Sequence, residues 1–284
     1  AEDMKCSLPT GTIVGKASFH RKESAAPRLF FTRREQEKKM TDYTYIIFDV
    51  DGTLINFEKS ERRAFSRTME ACGIFDNDEL HRKYTDICDS VWEEYNLDNT
   101  KDSYIRKNYH QLYRSYAVRR YAELKKELNL EKTPEELSRI YTRYYKEERI
   151  PEPKAEEVCR RLSQYYTLVL ATNGLEEIQV PRAAIFGDCI SHIFVSESVG
   201  AVKPSSEFFD CICNTLSVAS PSECLMVGDS LVNDMEGAAA AGMKTCWYHP
   251  GKGSAACGVN PDYEITALEE LLRILQLCDI NKKQ

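Results

Sequence analysis

From residue 150 onward, short apolar runs alternate with segments of helical period, and this alternation leaves few folds open. The spacing predicts a helix over 154–164, a strand over 166–171, a helix near 176–184 and a short strand over 193–195. A helix over 205–217, a strand over 224–228, a helix over 231–241, a strand over 244–247 and a final helix over 267–277 complete the series. Strands separated by helices pair in parallel, and a parallel sheet needs both faces covered. Far upstream, Tyr45 to Phe48 reads as another buried strand, which the same sheet must recruit. The stretch between, residues 58–149, is charged and rich in tyrosine. Its apolar residues fall at helical spacing, as in Ala64, Phe65, Thr68, Met69 and Cys72, and Thr133 before Pro134 suits a helix start. The expected organisation is therefore a core of residues 43–57 and 150–284, interrupted by a helical cap domain of residues 58–149 above the sheet's carboxyl edge.

Residues 1–42 show no sustained period and include the basic stretch Arg33, Arg34, Lys38 and Lys39 before an internal methionine, Met40. They read as an N-terminal extension outside the fold, with Met40 as the expected native start. No apolar run approaches the roughly 18 residues needed to cross a bilayer, so no membrane partner is expected. With 38 basic against 45 acidic residues the net charge is -7, and a nucleic acid polymer is not an expected partner either. The 11 cysteines are scattered and odd in number, which suits free thiols in the reducing cytoplasm.

Four short segments follow apolar strands or hinges and carry groups suited to a phosphate and a hard cation. Asp49 and Asp51 flank the end of the first strand, where two carboxylates can divide nucleophilic and proton-transfer work. Thr172, Asn173 and Gly174 close the second strand with a hydroxyl, an amide and a flexible residue, which together can donate to phosphate oxygens. Lys203 precedes Pro204 and could neutralise an anion. Gly228, Asp229 and Ser230 end the apolar run Cys224 to Val227, with Asn233 and Asp234 following, and carboxylates there suit Mg2+. Each segment alone is also ordinary turn or surface chemistry. Their shared order and their position at strand ends argue for one site.

The segments DVDGT, ATNG, VKP and GDSLVND resemble the four motifs of the haloacid dehalogenase (HAD) superfamily of phosphotransferases, in that family's order. The resemblance spans residues 43–284, with the helical stretch in the position of the family's type-1 cap. It implies an α/β fold, a Rossmann-like parallel sheet with helices on both faces plus an inserted α-helical cap. It further implies Asp49 as nucleophile, Asp51 as acid and base, and Thr172, Asn173 and Lys203 as phosphate ligands. Mg2+ would be held by the Asp49 side chain, the Asp51 carbonyl and Asp229, with Asp234 as a ligand through water or as support for Asp229 or Lys203. Metal-free dehalogenases of the family typically lack the second motif-I acid and the metal-binding acids, so phosphoryl transfer is favoured. A β-phosphoglucomutase-like mutase and a non-catalytic binding protein are the competing expectations.

Beyond the motifs, FVSESVGAVKP and MKTCWYHPGK are similar to the branch containing bacterial nucleoside 5'-monophosphatases, including those acting on noncanonical pyrimidine nucleotides. The expected partner is thus a small phosphorylated metabolite, a nucleotide, with a phosphoglycolate or sugar phosphate as the alternative. The cap carries Trp92, Tyr95, Tyr104, Tyr109, Tyr113 and Tyr116, most of them expected to pack its helices. Trp92 and Tyr95, with Phe57 just after the first motif, are the expected specificity residues. Assembly is expected to be a monomer or homodimer.

Overall fold

The computed structural model describes residues 42–251 and 258–277. The extension expected over residues 1–42 therefore lies, apart from Asp42, outside the described residues. At the centre is β1 (Tyr45–Phe48), followed by the inserted helices α1 (Phe57–Glu70), α2 (Asp78–Glu94), α3 (Ser103–Leu128) and α4 (Pro134–Glu147). The chain then returns through α5 (Ala155–Leu162), β2 (Thr167–Thr172), α6 (Glu176–Ala183), β3 (Ile190–Val195), α7 (Ser196–Val199) and α8 (Ser206–Leu216). It closes with β4 (Cys224–Gly228), α9 (Gly237–Ala240), β5 (Lys244–Tyr248), β6 (Tyr263–Ile265) and α10 (Glu270–Ile274). The strands form one six-stranded sheet, ordered β3-β2-β1-β4-β5-β6, and every pairing is parallel.

Alternation along β1 splits the core into two layers. Ile46 and Phe48 join Leu168, Leu170, Leu225 and Val227 beneath Val158 and Leu162 of α5 and Leu271 of α10. Ile47 points the other way, with Val169 and Met226, against Phe208, Phe209 and Ile212 of α8 and Ala238 of α9. Both faces are thus buried, as a parallel sheet requires. From β1 the chain runs outward through β2 and β3 on one side, and β4 pairs with the opposite edge of β1. The carboxyl ends of β1 and β4 therefore border the crevice where the winding direction reverses, the usual ligand site of such sheets.

Several boundaries differ from the sequence expectation. The strand expected over 193–195 begins at Ile190, because only its last two residues are buried and the first four carry no clear apolar signal. The helix expected over 231–241 divides into a π-helical turn, Leu231–Glu236, and the short α9. Edge strand β6 was not anticipated, since Ile265 is its only buried residue. The closing helix is shorter than 267–277, and the helix expected over 205–217 is α8, with Ser205 at its N-cap.

Two clusters consolidate the inserted helices. In the larger, Phe65, Tyr84, Tyr121, Leu124, Leu137, Tyr141 and Tyr145 pack with Leu175 and Ile178, which come from the core side of the chain. In the smaller, Val91, Leu97, Ile105, Tyr109 and Tyr116 enclose Val202, just before the motif lysine. The two connectors to the core run side by side: Asn56 N–H donates to the Ile150 carbonyl (2.8 Å), and Glu152 N–H to the Leu54 carbonyl (2.9 Å). Among the described residues, no helix is long and apolar enough to cross a membrane.

The cap interior also holds charge. Arg120, 6% exposed, lies 4.4 Å from the Tyr141 ring centroid and 5.0 Å from that of Tyr116, cation–π contacts that partly replace lost water. Near it, burial pushes the Glu61 carboxyl up to about 7 from 4.5, against the pull of Arg120. A carboxyl that binds its proton more tightly when folded contributes stability in acid, and that contribution disappears as pH rises from about 4.5 to about 7. The Glu61→Gln variant should therefore lose less stability than wild type across this window, by on the order of 3 kcal/mol. Urea unfolding at pH 4.5, 6 and 8 measures the difference in slope, and parallel pH profiles would refute it.

Candidate active site

Lys203 organises the crevice. Its side chain is 1% exposed, and Nζ donates to Asp49 Oδ1 (2.6 Å), Asp234 Oδ1 (2.6 Å) and the Ala171 carbonyl (2.8 Å), using all three ammonium protons. These acceptors belong to the end of β1, the turn after β4 and the end of β2, so one cation joins three strand ends. Asn173 fixes the backbone that carries it: the side-chain carbonyl accepts from Lys203 N–H (2.8 Å) and the amide donates to the Lys203 carbonyl (3.0 Å). Asn173 is thus close to the site, but its side-chain amide is committed to Lys203.

Asp234 is equally committed. Its second oxygen accepts from Ser230 N–H (3.0 Å), while Ser230 Oγ caps the π turn by accepting from Asn233 N–H (3.1 Å). Asp229 stands differently, with one side facing solvent; Thr53 Oγ1 donates to its Oδ1 (3.1 Å) and Trp247 Nε1 to its backbone carbonyl (2.8 Å). Two glycines create the space. A Cβ on Gly52, whose φ is +83°, would fall 2.5 Å from Asp229 Oδ2, and one on Gly228 would fall 2.3 Å from Asp234 Oδ2. Both motif glycines are therefore required by close approach, and Gly52 by its left-handed backbone as well.

Carboxylate oxygens of Asp49, Asp229 and Asp234 lie within 4.8 Å of one another. Three carboxylates against one ammonium leave a surplus of two negative charges, matching one divalent cation. The strain is visible in the acids. Burial pushes the Asp49 carboxyl well above its ordinary range; Lys203 opposes this, while Asp234 and Asp229 add to it. Asp229 is pushed up to about 6, first by burial and then by Asp234. Burial would lower the Lys203 ammonium, yet Asp234 and Asp49 hold it above its usual value. Oxygen donors with excess negative charge suit Mg2+.

Asp51 is turned toward α6. Arg182 Nη1 lies 2.6 Å from its Oδ1 and donates to Oδ2 at 2.7 Å, and Gln179 Nε2 also donates to Oδ2 (2.9 Å). Sequence reasoning passed over both residues. The available signal was that Ile178, Gln179, Arg182 and Ala183 form the buried face of α6, and two of those four are polar. Thr172 is 1% exposed at the end of β2, and its hydroxyl donates to the Asn173 carbonyl (3.3 Å).

The expected specificity residues are dispersed. Phe57 is 48% exposed at the start of α1, and Tyr95 packs beside the smaller cap cluster. Trp92 is held inside the cap: Nε1 donates to Asp98 (2.7 Å), and its ring meets Tyr113 and Tyr116 edge-on at 6.2 Å and 5.0 Å. Among the cap aromatics, Tyr113 and Tyr145 lie within electrostatic reach of Asp51. The cap closes on the core through Thr100 Oγ1 to Asn233 (2.8 Å), Lys101 to Glu236 (2.7 Å), His110 to Ser196 (2.8 Å) and the Arg114–Glu197 ion pair.

This geometry makes Lys203 a stability residue as well as a site residue. Replacing it by Met leaves two buried carboxylates uncompensated, and breaking such a pair costs about 3–5 kcal/mol. Chemical denaturation of Lys203→Met at neutral pH should show that loss, whereas a change below about 1 kcal/mol would refute the arrangement.

The family model described as haloacid dehalogenase-like hydrolase matches residues 43–242. The HAD-hydrolase YfnB of Bacillus subtilis is 29% identical over 241 residues, covering 84% of this chain and 97% of that protein. A crystal structure of YfnB bound to magnesium superposes with a TM-score of 0.69 at 28% identity, covering 82% of this chain and 98% of that one. The pyrimidine 5'-nucleotidases PynA of Streptococcus pneumoniae and YjjG of Escherichia coli are 26% and 25% identical, each over 82% of this chain and 95% and 98% of their own lengths.

Proposed function

Because the chain belongs to the haloacid dehalogenase-like hydrolases, we propose that it is a phosphomonoesterase that hydrolyses nucleoside 5'-monophosphates through a phosphorylated aspartate. The observation that carries the reading is the carboxylate of Asp49, held at the β1 end by Lys203 and flanked by Asp229 and Asp234. In this reading an Asp49 oxygen attacks phosphorus, the bond to the ester oxygen breaks, and Asp51 gives that oxygen its proton. Water then attacks the acyl phosphate, returning a proton to Asp51, restoring Asp49 and releasing inorganic phosphate. The Thr172 hydroxyl and the Asn173 backbone N–H hold the phosphoryl oxygens, while the Lys203 charge beside Asp49 offsets negative charge as it shifts from attacking to leaving group. Asp234 keeps Lys203 aimed.

The Asp49 and Asp229 side chains, with the Asp51 carbonyl, would hold Mg2+. When bound it offsets phosphoryl charge and relieves the crowding that raises Asp49 and Asp229. The surplus charge of the carboxylate group supports that assignment, as does the magnesium in the YfnB crystal structure. The nucleotide assignment rests on the named activity of PynA and YjjG, which align over nearly their whole lengths. A base would meet Tyr113, which Trp92 and Tyr109 brace from behind. Stacking on one ring is worth about 1–3 kcal/mol. The free cysteines of the described residues suit a cytoplasmic enzyme.

Phosphate release should depend on Mg2+, vanish with EDTA, and return on adding the metal. Asp49→Asn should lower kcat by at least about 10⁴-fold with the fold intact, since no nucleophile remains; appreciable turnover in that variant overturns the mechanism. A panel of nucleoside monophosphates, phosphoglycolate, sugar phosphates and p-nitrophenyl phosphate decides the substrate. Highest kcat/KM on a nucleotide, reduced about 5- to 100-fold by Tyr113→Ala, is the expected result. Highest kcat/KM on a non-nucleotide keeps the mechanism and rejects this substrate.

A further inference from the structure

Arg182 is among the most deeply buried side chains of the protein, at 0% exposure, yet it lies outside the four sequence motifs. Its guanidinium stacks 4.1 Å from the Tyr145 ring centroid, so one face rests on the cap. Nη1 holds Asp51, while Nε donates to the Glu148 carbonyl (3.2 Å). Glu148 is the residue at which the chain leaves α4 for the core, and it is only 3% exposed. Its carboxylate is taken by two arginines of α1, Arg63 at 3.1 Å and Arg67 at 2.9 Å. A continuous polar chain therefore runs from the first cap helix through the exit connector to Asp51.

At the end of that chain the two oxygens of Asp51 are unequal. Oδ2 accepts from both Arg182 and Gln179. Oδ1, enclosed by the protein, accepts no hydrogen bond among the described residues and lies 2.6 Å from Arg182 Nη1 as an ion pair. A carboxyl group paired through both oxygens with one buried guanidinium, and bonded on one of them by an amide as well, is fixed in direction. A general acid depends on such aim, since misplacement by about 1 Å can cost on the order of 10²-fold in rate.

We propose that Arg182 and Gln179 are positioning residues for Asp51, setting the direction in which its carboxyl meets the leaving oxygen, and that Arg182 ties this aim to the cap through Glu148. The proposal rests on the reading of Asp51 as general acid. Its distinguishing feature is the dependence on the leaving group. An alkyl phosphate such as a nucleoside monophosphate needs a proton on its departing oxygen, whereas p-nitrophenolate departs without one. A residue that merely holds the fold together affects both substrates alike.

The experiment compares kcat/KM, which reports the steps through phosphoenzyme formation, for an alkyl phosphomonoester and for p-nitrophenyl phosphate with saturating Mg2+. Arg182→Met should lose at least about 10²-fold on the alkyl ester and less than about tenfold on p-nitrophenyl phosphate, with Arg182→Lys recovering part of the selective loss. Gln179→Leu, a smaller change read in the same way, keeps the test available if Arg182→Met does not fold. Glu148→Gln, which keeps the carbonyl but weakens its grip on Arg63 and Arg67, should show the same selectivity at smaller size. Equal losses on both substrates in Arg182→Met and Gln179→Leu overturn the positioning role. Asp51→Asn serves as the reference: if it shows no leaving-group selectivity, the acid assignment itself falls, which separates failure of the premise from failure of the proposal.

Discussion

The ammonium of Lys203 is the contact on which the carboxyl edge of the sheet depends. Removed from water, an unpaired ammonium is costly, and three oxygens from three strand ends repay that cost only when all are in place. Asp49, Asp234 and the end of β2 are therefore mutually positioned by one group. Asn173 holds the lysine from its backbone side, and the π turn brings Asp234 to its tip. A region built in this way is rigid because each member's alternative is an uncompensated buried charge.

That arrangement also explains the excess negative charge around it. Lys203 balances one of three carboxylates, and the remaining charge is concentrated on Asp49 and Asp229, the two side chains whose second oxygens are not committed to Lys203 or to the Ser230 backbone. Asp51 is set apart, paired instead with Arg182. Four aspartates within a few residues of two strand ends thus meet different partners, Lys203 for Asp49 and Asp234, Thr53 for Asp229 and Arg182 for Asp51.

Much of this was legible because short parallel strands have a strong signature. β1, β2 and β4 are nearly unbroken apolar runs ending in turn residues, and buried strands can hardly look otherwise. The edge strands were harder: β3 is half covered at its start and β6 contributes one buried residue, so neither produces a clear pattern. The motif aspartates and lysine were visible by position relative to the strands. Arg182 and Gln179 were not, because a charged residue on a short helix reads as solvated unless its partner, distant in sequence, is known. Trp92 illustrates the opposite difficulty, since a ring suited to stacking on a ligand is equally suited to bracing Tyr113 and Tyr116.

Leu175 and Ile178 belong to the core by chain position but to the cap by packing. Separating the two parts must therefore expose apolar surface, so cap opening shares the thermodynamics of a small local unfolding. Its enthalpy rises with temperature through the heat capacity of newly hydrated side chains. Where opening limits release of product, an Arrhenius plot of turnover will curve even though the chemical step has a constant barrier. The temperature response of this enzyme is then set as much by two aliphatic side chains on α6 and its entry turn as by the acids of the crevice.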